Sequence, residues 1–249
     1  MPRRWSVGAV CVAGILLVGT RATAGGDDIT ADRPGFGESA GVVGRWQVQL
    51  ETGLAWTRID AETRVFDIPQ ALVRVGLGGS FEVRVLAPDW LRSTGPGGAR
   101  AGWTDMAIGF KGHVAIGGND LSLRGTAYLP SGSTPWSDEN LDPEGAAAWS
   151  RDLSAAWSLG ATVSLRRFGS SATNVLSPSL SIGRTLGPRA STFVEYGAIV
   201  AEGSRPLHRV DHGYAWLLNP DTQLDVSLGL GLSDAAPDFF LAFGCSRRF

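Results

Sequence analysis

From Arg45 to Thr57 the even positions Trp46, Val48, Leu50, Leu54 and Trp56 are apolar, with Thr52 the exception. The odd positions are Arg45, Gln47, Gln49, Glu51, Gly53 and Ala55. Successive side chains of a strand point to opposite faces, so this period of two predicts a strand with one apolar and one polar side. Tryptophan stands at both ends of the apolar side, as expected where a lipid-facing strand meets two membrane surfaces. The pattern recurs. Met106, Ile108, Phe110, Val114 and Ile116 alternate with Asp105, Ala107, Gly109, Lys111 and His113, and Leu121, Leu123, Ala127 and Leu129 with Ser122, Arg124, Thr126 and Tyr128. Trp157 to Leu165 and Leu224 to Leu232 repeat it, and weaker versions lie at 69–77, 81–88, 145–151, 175–186, 191–200 and 208–218. A last strand over 238–249 puts Phe239, Leu241, Phe243, Cys245 and Phe249 on one face, broken by Arg247.

The connections alternate between two classes. Short turns fall at Gly78-Gly79-Ser80, Gly117 to Asp120, Arg151 to Ala156, Gly187 to Ala190 and Asn219 to Thr222, all rich in turn-forming residues. Longer loops separate them, the largest from Pro88 to Gly102 and from Pro130 to Gly145. Short turns on one side and long loops on the other mark an outer-membrane barrel, here an all-β, antiparallel transmembrane barrel of about twelve strands. A soluble β-sandwich also alternates, but its polar face meets water and carries more charge. In this chain that face is mostly Gly, Ala, Ser and Thr with isolated ions, which suits a confined lumen.

The N-terminus reads as a secretory signal over 1–24. Arg3 and Arg4 precede a short apolar core, Val7 to Gly19, and Ala22-Thr23-Ala24 places small residues at a cleavage site before Gly25. That core is shorter than the roughly 20 residues a spanning helix needs. The expected organisation is therefore a signal peptide, a periplasmic N-terminal segment over 25–44 and a barrel over 45–249. Cys11 leaves with the signal, so Cys245 has no partner for a disulfide within the mature chain.

Composition narrows the function. Net charge is −2 with no basic block, which argues against nucleic acid as a partner. Thirty-four glycines, roughly twice average usage, help strands curve round a closed wall. The clusters Gly95 to Gly98 and Gly229 to Gly231 open no helix and so make no phosphate cradle.

The stretch Ile29-Thr30-Ala31-Asp32-Arg33-Pro34-Gly35-Phe36-Gly37-Glu38-Ser39, followed by Gln49-Leu50-Glu51-Thr52-Gly53, resembles the start of the family named Putative MetA-pathway of phenol degradation. Leu72 to Leu77, Phe81 to Val85, Asp105 to Lys111, Gln223-Leu224-Asp225 and Ala236 to Phe240 carry the resemblance through most of 29–249. The resemblance implies an outer-membrane barrel that passes small organic molecules; the family's name follows where some members' genes lie and says little about substrate. The closing Phe249 is similar to the terminal aromatic that the barrel-assembly machinery reads, although Arg247 stands where a second aromatic is usual.

Parity places Glu51, Arg74, Glu82, Arg84, Asp105, Lys111, Arg124, Arg166, Glu195, Asp211 and Asp225 inside the barrel. They either line a constriction that screens solutes or pair with one another and fill the lumen. Asp32-Arg33-Pro34 reads as an ordered turn leading into the first strand, with a partial plug as the alternative. An enzyme would need His113, His208 or His212. His113 has inward parity and Ser122 lies across the turn from it, but no Gly-x-Ser-x-Gly elbow is present. His208 and His212 sit about 13 Å apart along a strand and cannot share a metal. The reading is a non-enzymatic channel without cofactor or metal. Its partners are outer-membrane lipid, the assembly machinery during insertion and small-molecule solutes, which the family resemblance alone implies are apolar or aromatic. A closed barrel acting through surface loops near Trp90 and Trp136 is the alternative, and a lipid hydrolase the third.

Overall fold

The computed structural model describes residues 28–249, so the signal peptide, its cleavage site and Cys11 lie outside the described residues. The strands are β1 (Val48–Arg58), β2 (Arg64–Ile68), β3 (Leu72–Gly78), β4 (Phe81–Leu86), β5 (Trp90–Gly95), β6 (Gly98–Trp103), β7 (Met106–Ile116) and β8 (Asn119–Leu129). They continue with β9 (Asp142–Asp152), β10 (Trp157–Phe168), β11 (Thr173–Gly187), β12 (Ala190–Ala201), β13 (Leu207–Asn219), β14 (Thr222–Gly231) and β15 (Phe239–Arg248). β1 pairs antiparallel with β15 from Gln49↔Arg248 to Arg58↔Phe239, so the sheet closes on itself. Closure leaves no unpaired edge, which in hydrocarbon would cost several kcal/mol per group.

Three wall strands are interrupted. β2 and β3 are separated by 69–71, β4 and β5 by 87–89, and β6 and β7 by 104–105. Counted through these breaks, the wall is a twelve-strand antiparallel barrel. Pro69 and Pro88 have no N–H to give to a ladder, and Gln70 takes a left-handed φ of 49°. The broken stretch stays attached through Gly53 N to Pro69 O (2.6 Å), Ala87 N to Ala71 O (2.9 Å) and Thr104 N to Asp89 O (2.9 Å).

The distribution of exposure separates this fold from a sandwich. Leu123 is 71% exposed, Phe110 61% and Leu180 56%, while Glu51, Arg74 and Glu82 are fully buried. Apolar side chains cover the outside and ions the inside, the inverse of a soluble core. Among the described residues the buried apolar clusters are small: Ala55, Phe240 and Ala242 in the wall, and Val65, Leu91 and Trp136 at the long-loop end. By the turn-length asymmetry the long loops are extracellular and the termini periplasmic.

Several expectations change. The segment from Pro88 to Gly102, expected as a loop, is mostly the hairpin β5–β6, turned at Pro96-Gly97 and continuing the wall outward from β2. β1 starts at Val48 and not Arg45, because Trp46 has φ 62° and Gln47 N closes a turn onto Gly44 O. β9 starts at Asp142, three residues before the expected strand, despite its Asp-Pro. Trp136, expected on a surface loop, is 1% exposed and packs on Val65 and Leu91.

Candidate functional site

Residues Ala31 to Ala40 are all buried, and they lie inside the barrel. The periplasmic placement expected for 25–44, and the lead-in turn expected at Asp32-Arg33-Pro34, are both corrected: the described part of that segment is a plug, and the lead-in turn is formed later, at 44–47. The reason is hydrogen bonding. An irregular chain in a lumen with little water carries N–H and C=O groups that need partners. Wall ions supply them. Glu51 accepts from Asp32 N (3.0 Å) and Arg33 N (3.2 Å), Glu195 from Phe36 N (2.6 Å) and Gly37 N (3.0 Å), and Glu82 from Val43 N (2.8 Å). Arg74 donates to Thr30 O (3.0 Å) and Gly41 O (3.2 Å), Gln49 to Thr30 O (3.0 Å), and Lys111 to Ser39 O.

Charge pairing adds to this. Asp32 meets Arg84 at 2.6 Å, Arg74 at 3.5 Å and Lys111 at 3.7 Å, while Arg74 also meets Glu51 and Glu82 at 3.0 Å each. Glu38 takes Arg124 at 3.0 Å, and Arg124 also holds Glu144 at 2.5 Å. Arg33 reaches Asp225 (3.3 Å), Gln70 Oε1 (3.0 Å) and Phe243 O (3.1 Å). Burying ions is costly unless they are paired and hydrogen-bonded, and removing one partner of such a pair costs about 3–5 kcal/mol. The plug is therefore held by position-specific contacts along its whole buried length.

All eleven ions assigned to the interior by parity are buried, but they do not form one site. Glu51, Arg74, Glu82, Arg84 and Lys111 gather round Asp32, Arg124 joins through Glu38, and Asp225 and Glu195 hold other points of the plug. Of the remaining three, Asp105 and Arg166 serve the outer end and Asp211 reaches the plug through Arg209. Asp105 accepts from Ser131 N (2.9 Å), Gly132 N (2.8 Å) and Ser137 Oγ (2.7 Å), so it ties down the loop after β8. Arg166 pairs with Asp142 at 2.7 Å and lies 3.6 Å over the Tyr128 ring. Asp211 pairs with Arg209, whose guanidinium sits between the rings of Phe36 (4.4 Å) and Phe240 (4.7 Å).

Space remains on either side of the plug. Towards the long loops a cavity of about 210 Å³ is lined by Leu72, Leu86, Leu91, Leu207 and Phe240, with Arg84, Asp89, Tyr128 and Arg166 also in its lining. Towards the short turns a second cavity of about 340 Å³ is lined by Thr162, Ser179, Ser181, His113 and Asp120 among others. A third space of about 870 Å³, lined by Pro96, Pro135, Ser170 and Gly203 among others, opens at the outer rim.

Sequence parity missed Glu38, Asp142, Glu144 and Arg209. The last three were findable, since Asp142 and Glu144 have the inward parity of Ala146 and Ala148, and Arg209 that of Asp211. Glu38 lies in a stretch with no period, so nothing local marked its contacts.

The histidines take other roles. His113 Nε2 is 2.8 Å from Asp120, and Ser122, its register partner, has an Oγ without a hydrogen bond. His212 bonds Thr192 Oγ1 (2.9 Å) and His208 bonds the Tyr196 hydroxyl (2.6 Å), each its own neighbour on β12. Phe249 is 68% exposed at the periplasmic rim, its N bonded to Val48 O at 2.8 Å. Among the described residues no group of three or more His, Cys, Asp or Glu could hold a metal.

The family model described as Putative MetA-pathway of phenol degradation matches residues 31–249. Among solved structures, an outer membrane channel from Pseudomonas putida F1 is similar with a TM-score of 0.67 at 14% identity, covering 84% of this chain and 98% of that one. NanC porin (TM-score 0.54, 8% identity, 80% and 98% covered) and KdgM porin in complex with disordered oligogalacturonate (0.53, 8%, 82% and 99%) share the fold. No curated protein matches the chain in sequence.

Proposed function

Because this chain belongs to the Putative MetA-pathway of phenol degradation family, we propose that it is a passive channel of the bacterial outer membrane for small organic molecules with an apolar part. The observation that carries this reading is the outer cavity. A lumen elsewhere lined by ions and small polar groups holds, on the extracellular side of the plug, a pocket where Leu72, Leu86, Leu91, Leu207 and Phe240 stand beside Arg84, Asp89 and Arg166. The apolar part of that lining recovers hydrophobic free energy from an apolar solute, about 25 cal/mol per Å² buried, which a sugar does not gain. No energy source is needed, since the solute moves down its gradient.

The test uses the mature protein in liposomes, with benzoate and a neutral sugar of similar size as solutes. Benzoate influx should exceed that of protein-free liposomes severalfold and outpace the sugar, and Leu91→Glu should slow it. Influx equal to that of empty liposomes sinks the reading. A second reading, a closed barrel with a structural role, is favoured by the ion pairs that fill the lumen round Asp32 and Glu38. It predicts no solute flux and no conductance.

A further inference from the structure

Glu38 is the one residue that lines both the outer and the inner cavity. Above it stand Arg84, Tyr128 and Arg166; below it stand Thr162, Ser179 and Ser181. The two spaces thus meet the plug at a shared residue, whose side chain is 2% exposed. Below Glu38 the inward positions of β8 to β11 are small, Ser122, Ala146, Ala148, Ser164, Ser179 and Ser181, while Arg124 of β8 reaches Glu38 itself; β3, β4 and β7 send in Arg74, Glu82, Arg84 and Lys111. The plug pairs with the ionic side through Asp32, and Glu38 meets the other side at Arg124 on β8 and Thr162 on β10.

We propose that Glu38 is the gate and charge filter of the route through this barrel, a proposal that rests on reading the barrel as a channel. Its carboxylate lies 3.0 Å from Arg124, 3.8 Å from Lys111 and 3.9 Å from Arg84. Its main chain is fixed independently: Glu38 N donates to Thr162 Oγ1 (3.2 Å), and the same hydroxyl donates to Glu38 O (3.3 Å). A solute moving from one cavity to the other must pass this carboxylate and the Arg124 and Thr162 side chains that hold Glu38. Withdrawing the carboxylate joins the two cavities and leaves three cations at the narrowest point. Each cation keeps another partner, Arg84 with Asp32 and Glu82, Lys111 with Asp32, and Arg124 with Glu144, so the plug keeps its seat.

The experiment is planar-bilayer recording of the full mature protein, with proteolysis of the N-terminal segment in parallel. Glu38→Gln keeps the volume and removes the charge, so the reversal potential in a salt gradient should move towards the anion potential with little change in conductance. Glu38→Ala should raise conductance severalfold with the same shift, while the N-terminal segment stays as protected from protease as in the native protein. Unchanged conductance and reversal potential in both variants overturn the assignment. So does a rise accompanied by loss of N-terminal protection, because the whole segment has then left. If native protein fails to admit benzoate while the Glu38 variants still shift ion selectivity, the substrate reading falls and the gate stands.

Discussion

At the residue scale the plug depends on absences as much as on charges. A Cβ at Gly244 would collide with Arg33 Nε, and one at Gly53 with the same guanidinium, so two neighbouring wall positions must be glycine for Arg33 to reach Asp225. Gly244→Val should push the guanidinium off Asp225 and Gln70. The penalty approaches that of breaking a buried pair, up to about 3–5 kcal/mol. The N-terminal segment should then be cut faster by protease while the barrel keeps its resistance to detergent unfolding. Gly125→Val is the control, since a Cβ there meets nothing within 4 Å. Equal cutting of both variants and the native protein would show that the Arg33 contact does not hold the plug.

At the element scale, strands that run unbroken were legible and broken ones were not. β7, β8, β10 and β14 keep a strict period of two, and their exposed faces are the apolar ones read from the sequence. β5 and β6 were hidden because Thr-Gly-Pro-Gly-Gly has loop composition, and only pairing with β2 shows that it caps a hairpin. β9 was shortened because Asp142-Pro143 reads as a turn, although Asp142 is committed to Arg166 at 2.7 Å. Where the period is strict it also predicts energetics. Leu123, in the middle of β8 and 71% exposed to lipid, has hydrocarbon as its only surroundings. Leu123→Arg should destabilise the barrel by about 2–4 kcal/mol in equilibrium denaturant unfolding in bilayers. Ser122→Arg faces inward beside His113 and should change conductance before it changes stability. An indistinguishable unfolding midpoint for Leu123→Arg would place β8 outside the membrane.

At the scale of the whole molecule, parity could say that the ions point inward but not what they meet there. Cross-strand pairing and pairing with a plug satisfy the same charges, and the decisive contacts join residues as far apart as Arg33 and Asp225, 192 positions along the chain. The wall size leaves the question open as well. Side chains alone can fill an eight-stranded barrel, sixteen strands or more leave a channel, and twelve lies between. Deleting the plug decides which regime applies. Without residues 28–44, Arg74, Arg84 and Lys111 lose Asp32, and Glu51 and Glu195 lose the amides they now accept from. In a sealed interior that would cost several kcal/mol per stranded ion, but an emptied bore admits water, which solvates them in place. The shortened protein should therefore still insert and migrate as a folded barrel in unheated detergent gels, with single-channel conductance about tenfold above the native protein, in line with a water-filled lumen. Native-level conductance from a folded, plug-free barrel would mean that the wall's own side chains close the bore, and that the N-terminal segment only fills space they leave.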